Sequence, residues 1–444
     1  MNNPENSIIF TPAKIGPIEL RNRTIRSAAF ENMCFNNNPS PMLFDYHTSV
    51  ARGGIGMTTV AYASVNRSGL SFENQLWMRP EIVGELRKLT DAIHAEGAKA
   101  SIQLGHCGNM SHKRTAGRSP ISASSGFNLY SPTFVHGMTE DEIHEVARDF
   151  GNAVRLAIDA GFDCVEIHAG HGYLISQFLS PYTNKRRDSW GGSLDNRMNF
   201  MRLCMEEVMR AADGKIAVVA KTNMRDGFKG GNGLEEGIVI ARELEKLGMD
   251  ALVLSGGFVS KAPMYVMRGE MPITTMTGYM KCWWLKWGVR AVGKYMIKNE
   301  PYKDLYFLDD ALEVRRQVKL PLIYVGGCVS RTGNEQVLNS GFEAVQMARA
   351  LVNEPDFVNR LRRGEERCGC DHVNYCIARM YTLEMSCHKH RTDIPPCMQR
   401  EIERSKKRRK KAHSRVGPPL TSHLLPNKRL CAFSIKKYPL ELQR

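Results

Sequence analysis

The feature that most constrains this chain is a unit that recurs four times: a helical pattern, a glycine, and then a short apolar strand pattern. The unit occurs around Gly97, Gly161, Gly248 and Gly341. A glycine directly after a helix readily adopts the left-handed conformation that turns the chain back, so each unit predicts a helix followed at once by a strand. Its repetition predicts parallel β/α winding, because alternating helices return every strand in the same direction.

Eight apolar runs are predicted to be strands, after a hairpin-like lead over residues 8–20. They span Asn22–Ala29, Gly56–Ser64, Lys99–Leu104, Cys164–His168, Ile216–Thr222, Ala251–Ser255, Leu322–Val325 and Ala344–Met347. Runs that are apolar throughout are typical of strands buried on both faces, which favours a closed (β/α)8 TIM barrel. The open, doubly wound alternative ordinarily carries a G-x-G-x-x-G turn for a dinucleotide, and the sequence contains no such turn.

Helical patterns lie between these strands. The clearest predicted helices span Glu81–Glu96, Asp141–Ala160, Asn196–Ala212, Glu235–Leu247 and Gly333–Ser340. A length of 444 residues accommodates one barrel with an appendage, since such barrels run to about 250 residues or more. We therefore predict the barrel over residues 1–366, a Cys/His-rich segment over 367–390 and a basic tail of low order over 391–444.

The charge is concentrated at the C-terminal end. The chain has a formal net charge of +15, and residues 391–444 hold 15 Lys and Arg against 4 Asp and Glu. The barrel is therefore nearly balanced and is not expected to bind nucleic acid. A basic run of this kind is usually solvated and disordered, although it can also serve as an electrostatic anchor or a nuclear signal.

Compartment and membrane topology follow from the remaining composition. No uncharged apolar run approaches the roughly 18 residues that a membrane span requires, and no secretory signal is visible at the start. The 12 cysteines are scattered, which fits reduced thiols better than a disulfide framework. We expect a cytoplasmic protein, with a nuclear location left open by the basic tail.

Polar side chains stand where the predicted barrel strands end, which is the edge at which TIM barrels build their active sites. Two imidazoles can donate hydrogen bonds to one carbonyl oxygen, and a neighbouring phenol can supply a proton. An isolated His-x-x-His pair can equally be a metal pair or two polar loop residues, but its place after a strand beside a tyrosine favours catalysis. The side chains concerned are Gln103, His168, His171, Tyr173, Lys221 and Arg349, together with the backbone at Gly326 and Gly327.

Seven motifs in this order resemble those of the old yellow enzyme family of flavin-dependent ene reductases, including the barrel domain of bacterial 2,4-dienoyl-CoA reductases. The motifs are LRNRTIRSAA, SIQLGH, EIHAGHGYLISQFLSP, GGSLDNR, VVAKTNMRDG, YVGG and QMARAL. The resemblance covers roughly residues 8–366. It implies an FMN-dependent oxidoreductase that uses NADH or NADPH and needs no separate nicotinamide domain.

The resemblance also implies a role for each matching residue at the cofactor. Arg349, with backbone amides around Gly327 and Ala348, would hold the FMN phosphate. Lys221 would stabilise the negative charge of the reduced flavin near its pyrimidine edge. Gln103 would hydrogen-bond to that edge, and the ring would be lined by Ser27, Ala28 and Ala61.

For the reaction, the resemblance implies that His168 and His171 bind the carbonyl oxygen of an enone or enoate substrate. Binding polarises the conjugated C=C bond, so that hydride from flavin N5 attacks the β carbon and Tyr173 protonates the α carbon. NADH or NADPH would reload the flavin from the same face. A homo-oligomer remains open, as does a flavin-binding interaction protein with little turnover.

Two features depart from the family pattern. Phe30 stands where many members place a Thr or Cys near the flavin C4 carbonyl. Residues 260–310 are long for a connection between a strand and a helix, and their Met, Trp and Tyr content suggests a loop or lid over the site. An inserted helical pair with its own apolar contacts is the alternative.

The cysteine segment also departs from its relatives. Dienoyl-CoA reductases carry an iron–sulfur cluster on a C-x2-C-x3-C-x11-C pattern, whereas Cys368, Cys370, Cys376 and Cys387 are separated by one, five and ten residues, with Val373 where a thiolate would be expected. A cluster needs four converging thiolates, so we expect no metal. The alternatives are an iron–sulfur dienoyl-CoA reductase and a zinc site that uses His372, His388 or His390.

Overall fold

The computed structural model describes residues 4–128, 132–278, 280, 282–379 and 382–415. Its strands, in chain order, are β1 Ala13–Ile15, β2 Ile18–Leu20, β3 Thr24–Arg26, β4 Cys34–Phe35, β5 Asn38–Pro39, β6 Met57–Ser64, β7 Lys99–Gly105, β8 Ile121–Ser122, β9 Gly126–Asn128, β10 Thr133–Gly137, β11 Cys164–Ala169, β12 Ala217–Asn223, β13 Ala251–Ser255, β14 Leu322–Val325 and β15 Ala344–Met347.

Helices separate most of the strands. They are α1 Pro41–Arg52, α2 Val83–Ala95, α3 Lys113–Ala116, α4 Glu140–Asp159, α5 Leu174–Leu179, α6 Leu194–Ala212, α7 Leu234–Lys246, α8 Pro263–Met267, α9 Ile273–Gly278, α10 Trp283–Met296, α11 Leu308–Arg315, α12 Arg331–Asn339, α13 Arg349–Asn353, α14 Phe357–Arg362, α15 Tyr375–Arg379 and α16 Pro396–Arg415. None of the described helices is long and apolar enough to cross a membrane.

The barrel strands close in the order β3-β6-β7-β11-β12-β13-β14-β15, and β15 returns to β3. Every pairing around the ring is parallel, as between Cys164 of β11 and Ala217 of β12, or between Val345 of β15 and Thr24 of β3. These are the eight predicted strands, with small shifts at their ends. The predicted (β/α)8 barrel is confirmed, because each strand is returned by the helical segment that follows it.

The four predicted helix stops adopt the left-handed conformation. Gly97, Gly161, Gly248 and Gly341 have φ between +74° and +88°. In each case the glycine follows the helix directly and the next barrel strand begins a few residues later. The glycine therefore sets the point at which the chain turns back into the barrel wall.

The barrel interior has two layers of different chemistry. Its lower layer is apolar and is closed from below by the β1–β2 hairpin, whose Ala13, Ile15 and Leu20 pack against residues such as Ile25 and Val253. Above this layer the inward side chains are polar, and four of them are buried: Gln103, Glu166, Lys221 and Gln346. The polar layer lies directly beneath the C-terminal mouth of the barrel.

The segment between β13 and β14 covers part of this mouth. Residues 260–310 hold α8, α9 and α10, and Val266 and Met267 of α8 reach the pocket described below. The segment thus combines the predicted cover over the site with the predicted helices.

Within the basic tail that the sequence predicts over residues 391–444, Pro396–Arg415 forms the helix α16. Its Met398 and Ile402 are buried with Ile394 and Tyr375, and this packing gives the helix an apolar side that the basic composition conceals. Residues 416–444 lie outside the described residues.

Candidate active site

A deep pocket opens at the C-terminal mouth of the barrel. Its wall carries side chains from the ends of β3, β7, β11, β12, β13, β14 and β15, because parallel strands all end at this rim. A second cavity at the C-terminal end of β14 shares Tyr306, Val325, Ala348 and Arg349 with the first. The two form one elongated cleft from the histidine loop to the glycines after β14.

Glu166 organises the floor of this cleft. One carboxylate oxygen accepts a hydrogen bond from Gln103 Nε2 at 2.6 Å and pairs with Lys221 Nζ at 2.7 Å, and the other accepts one from Gln346 Nε2 at 2.7 Å. The sequence prediction missed Glu166. An acidic residue two positions before His168, inside an apolar strand, is the signal that could have found it, because alternate residues of a strand share a face.

Lys221 is held at this floor as a buried cation. Desolvation lowers its pKa, and the charge of Glu166 raises it again. Its Nζ also lies 3.4 Å from Ser27 Oγ. The side chain therefore presents a positive charge to whatever occupies the cleft above it, with a carboxylate on its other side.

His168 and His171 lie next to each other after β11, with ring centroids 5.1 Å apart. Desolvation, together with His171 and Lys221, lowers the pKa of His168 well below its ordinary value. Desolvation and Lys221 lower the pKa of His171 to about 3. Both imidazoles are therefore neutral at pH 7, and each offers one N–H donor.

The backbone around His171 is fixed by polar contacts. Its φ is +59°, its N–H donates to Asn223 Oδ1 at 3.0 Å, and its Nε2 lies 2.7 Å from Ser255 Oγ. By contrast, His168 Nδ1 is buried without a hydrogen-bond partner among the described residues. A buried nitrogen of this kind is suited to a ligand in the cleft.

Tyr173 stands beside the two histidines. Its ring centroid lies 4.1 Å from that of His168 and 5.1 Å from that of Tyr62, whose ring is nearly perpendicular to it. The phenol of Tyr62 is itself engaged by Ser71. The structure thus brings the predicted trio of His168, His171 and Tyr173 to one wall of the pocket.

The opposite end of the cleft is suited to a phosphate. Gly327 has φ +78°, and a Cβ there would stand 2.6 Å from the backbone nitrogen of Leu305, so only glycine fits this turn. Arg349 donates to Asn374 Oδ1 at 2.6 Å and lies over the ring of Tyr302. A fixed guanidinium beside a glycine turn is an arrangement that binds phosphate oxygens.

The remaining predicted cofactor residues are mostly at the cleft. Ser27, Ala28, Gln103, Lys221 and Ala348 line it. Ala61 is buried but stands behind the pocket wall, where its N–H donates to the carboxylate of Glu31. Its neighbour Tyr62 takes the place in the wall. Phe30 also lines the pocket and stacks on Phe72, with centroids 4.9 Å apart.

The four cysteines of the C-terminal segment divide between two apolar clusters. Cys368 and Cys370 belong to the outer barrel core, whereas Cys376 and Cys387 pack with Val352 and Met385. Cys387 Sγ donates to Asn353 Oδ1 at 3.1 Å. In the part of the chain that the structure describes, no three His, Cys, Asp or Glu side chains are grouped so as to hold a metal ion.

Comparison with known proteins gives a consistent family. The model of the NADH:flavin oxidoreductase / NADH oxidase family matches residues 8–274. The 4,4'-dithiodibutanoate disulfide reductase of Rhodococcus erythropolis is 38% identical over 84% of this chain and 93% of its own length. The metal reductase of Desulforamulus reducens is 30% identical over 81% of this chain, which spans about half (49%) of that relative.

The fold has close counterparts among solved structures. The old yellow enzyme homologue from Zymomonas mobilis superposes with a TM-score of 0.66 at 22% identity, over 87% of this chain and 99% of that one. At this identity the likeness concerns the fold alone.

Proposed function

Because the chain belongs to the NADH:flavin oxidoreductase / NADH oxidase family, and is thus an oxidoreductase that uses FMN with NADH or NADPH, we propose that it reduces the activated C=C bond of an α,β-unsaturated carbonyl compound. The observation that carries the proposal is the trio of His168, His171 and Tyr173 on one pocket wall. Two neutral N–H donors and a phenol are what a polarised carbonyl and its α carbon require.

The cleft fits FMN by shape and by its unsatisfied groups. Its elongated form runs from the histidine wall to Arg349, which suits a ring system joined to a phosphate. Gln346 Oε1 and His168 Nδ1 are buried without partners among the described residues, so polar atoms are left for a ligand. When bound, FMN supplies the two-electron chemistry that passes hydride from the nicotinamide to the acceptor.

The residues of this chain orient the substrate, stabilise charge, hold the proton and bind the cofactor. His168 and His171 orient the substrate by its carbonyl oxygen, and their low pKa values keep them as neutral donors. Lys221 stabilises negative charge at the cleft floor, and Glu166 holds it there. Tyr173 holds the proton for the α carbon. Gln103, Ser27, Ala28, Gly327, Ala348 and Arg349 bind the cofactor.

The test separates the two half-reactions. Tyr173→Phe removes the proton donor and preserves the ring. Hydride transfer from NADPH or NADH to the FMN enzyme needs no proton donor, so its rate should stay within a few-fold of the wild-type rate. Turnover of 2-cyclohexen-1-one should fall by about 10²–10⁴, the usual contribution of one positioned acid. Stopped-flow absorbance at the flavin band measures each half separately.

Tyr182→Phe is the matched control, since Tyr182 is exposed and is not among the residues that line the pocket. It should leave both halves unchanged. Equal losses in both halves for Tyr173→Phe, or no loss in either, would show that Tyr173 is not the proton donor.

A second candidate substrate is an organic disulfide, favoured by the 38% identity to a disulfide reductase over most of both chains. In that reaction RSSR, NAD(P)H and one proton give two RSH and NAD(P)⁺. No carbon is protonated in this reaction, so Tyr173→Phe should leave the rate of disulfide reduction unchanged. The turnover of 4,4'-dithiodibutanoate and of 2-cyclohexen-1-one by the wild type and by Tyr173→Phe therefore decides between the two candidate substrates.

A further inference from the structure

Helix α10 presents a continuous apolar side to solvent. We define its aromatic face as Trp283, Trp284, Trp287, Val292, Tyr295 and Met296, all exposed. The three tryptophans are 62–72% exposed and Tyr295 is 85% exposed. Three of the five tryptophans of the chain thus lie on one outer helix face, and an exposed apolar surface of this kind marks a contact with another apolar phase.

Two of the polar side chains of α10 bond to the neighbouring helix α9. Lys286 Nζ donates to the carbonyl of Gly278 at 3.1 Å, and Arg290 Nε donates to Thr277 Oγ1 at 2.9 Å. Both acceptors belong to α9, against which α10 packs. A surface helix ordinarily turns its apolar stripe inward. Here the large aromatic side chains point outward, so burial against the described part of the chain does not explain the aromatic face.

The surroundings of the aromatic face are basic. Residues 271–299 contain five Lys and Arg and no Asp or Glu. Helix α16 also packs on α9, and its Arg400, Arg404 and Lys407 are exposed. Arg408 of the same helix is exposed but pairs with Glu270. The guanidinium of Arg290 lies 5.5 Å from the ring centroid of Trp287, and Lys298 is exposed just after the helix. Cations beside exposed Trp complement an anionic surface that also has an apolar interior.

We propose that the aromatic face of α10 docks on an anionic lipid surface, as a peripheral membrane contact that leaves the barrel outside the bilayer. Trp and Tyr rings are suited to the depth of the lipid headgroups, and Lys and Arg stems extend from there toward phosphate. A second copy of this chain is disfavoured, because a two-fold contact through α10 would bring the cations of both copies together without acidic partners in residues 271–299.

Tryptophan fluorescence of the full chain tests the proposal. With vesicles of phosphatidylcholine and phosphatidylglycerol, emission should shift to the blue and be quenched by brominated acyl chains. Vesicles of phosphatidylcholine alone should bind about tenfold more weakly, since each basic residue near an anionic surface contributes to binding. Raising the salt to 1 M should weaken binding to the anionic vesicles, because it shortens the screening length from about 10 Å to about 3 Å.

The decisive variant is Trp283→Ala/Trp284→Ala/Trp287→Ala, which keeps every charge. Its binding to the anionic vesicles, measured by flotation, should be at least about tenfold weaker. The control, Phe35→Ala/Phe134→Ala, removes two side chains that are as exposed but lie elsewhere, and should bind as the wild type. Unchanged binding by the tryptophan variant would overturn the proposal, because the contact would then be purely electrostatic. So would a dimer in sedimentation that the tryptophan variant abolishes, together with no binding to vesicles.

Discussion

At the scale of single residues, the environment of each side chain decides its chemistry more than its type. His171 contacts Ser255, and its burial, together with the nearby cation of Lys221, lowers its pKa to about 3. A histidine in an unfolded chain has a pKa near 6.5. The folded protein therefore excludes a proton from His171 over the interval between these values, whereas the unfolded chain accepts one.

This difference predicts a loss of stability in acid. As the pH falls from about 6.5 toward 3, the unfolded state binds protons that the folded state does not, so the free energy of unfolding decreases. His171→Asn keeps a hydrogen-bonding side chain but removes the proton site. Between pH 7 and pH 5 the variant should lose up to about 2 kcal/mol less than the wild type. Urea unfolding at the two pH values measures this. Parallel losses in both proteins would contradict the low pKa.

At the scale of elements, α16 and α9 are joined by one carboxylate. Glu401 of α16 accepts hydrogen bonds from the backbone N–H groups of Thr274 and Thr275 at 2.8 Å, and from the hydroxyl of Thr275. These N–H groups belong to the first turn of α9, which has no partners of its own for them. A side chain from a distant helix thus acts as the N-terminal cap of α9.

The contact predicts that Glu401→Ala loosens both helices. Loss of the cap should lower the free energy of unfolding by about 1–2 kcal/mol and speed amide exchange at Thr274 and Thr275. Glu403→Ala is the control, since Glu403 is exposed on the same helix and should change neither quantity. Hydrogen exchange followed by mass spectrometry compares the two. Equal exchange in both variants would exclude a capping role.

At the scale of the whole molecule, the cleft joins segments that are far apart in the chain. Arg349 follows β15, its hydrogen-bond partner Asn374 lies in the Cys/His-rich segment, and Tyr302 beneath it precedes α11. Arg409 of α16 also lies over the ring of Tyr302, 4.9 Å from its centroid. A ligand at Arg349 therefore links the barrel to its C-terminal helices.

This arrangement predicts that FMN stabilises the molecule as a unit. At about 100 times its Kd, FMN should raise the free energy of unfolding by about 2.7 kcal/mol. Arg349→Ala should weaken FMN binding by about 1.5–3 kcal/mol, because a charge-assisted bond to phosphate is lost. The stabilisation at the same FMN concentration should then fall to about 0.3–1.3 kcal/mol. Arg187→Ala, at an exposed arginine, should retain it. Thermal unfolding with and without FMN measures the stabilisation in each protein. If Arg349→Ala is stabilised as much as the wild type, Arg349 does not belong to the FMN site.

The sequence by itself determined the order of strands and helices, the turns at the four glycines and the part of the pocket wall that follows the strand ends, because periodicity, glycine conformation and strand-end position are local properties. The tertiary structure alone decided the rest. Glu166 meets Gln103 and Gln346 across separations of 63 and 180 residues, Ala61 stands behind the wall, and α16 forms because Met398 and Ile402 find buried neighbours. Such contacts and the desolvation that lowers the histidine pKa values depend on which distant groups cover a side chain, and no local pattern carries that information.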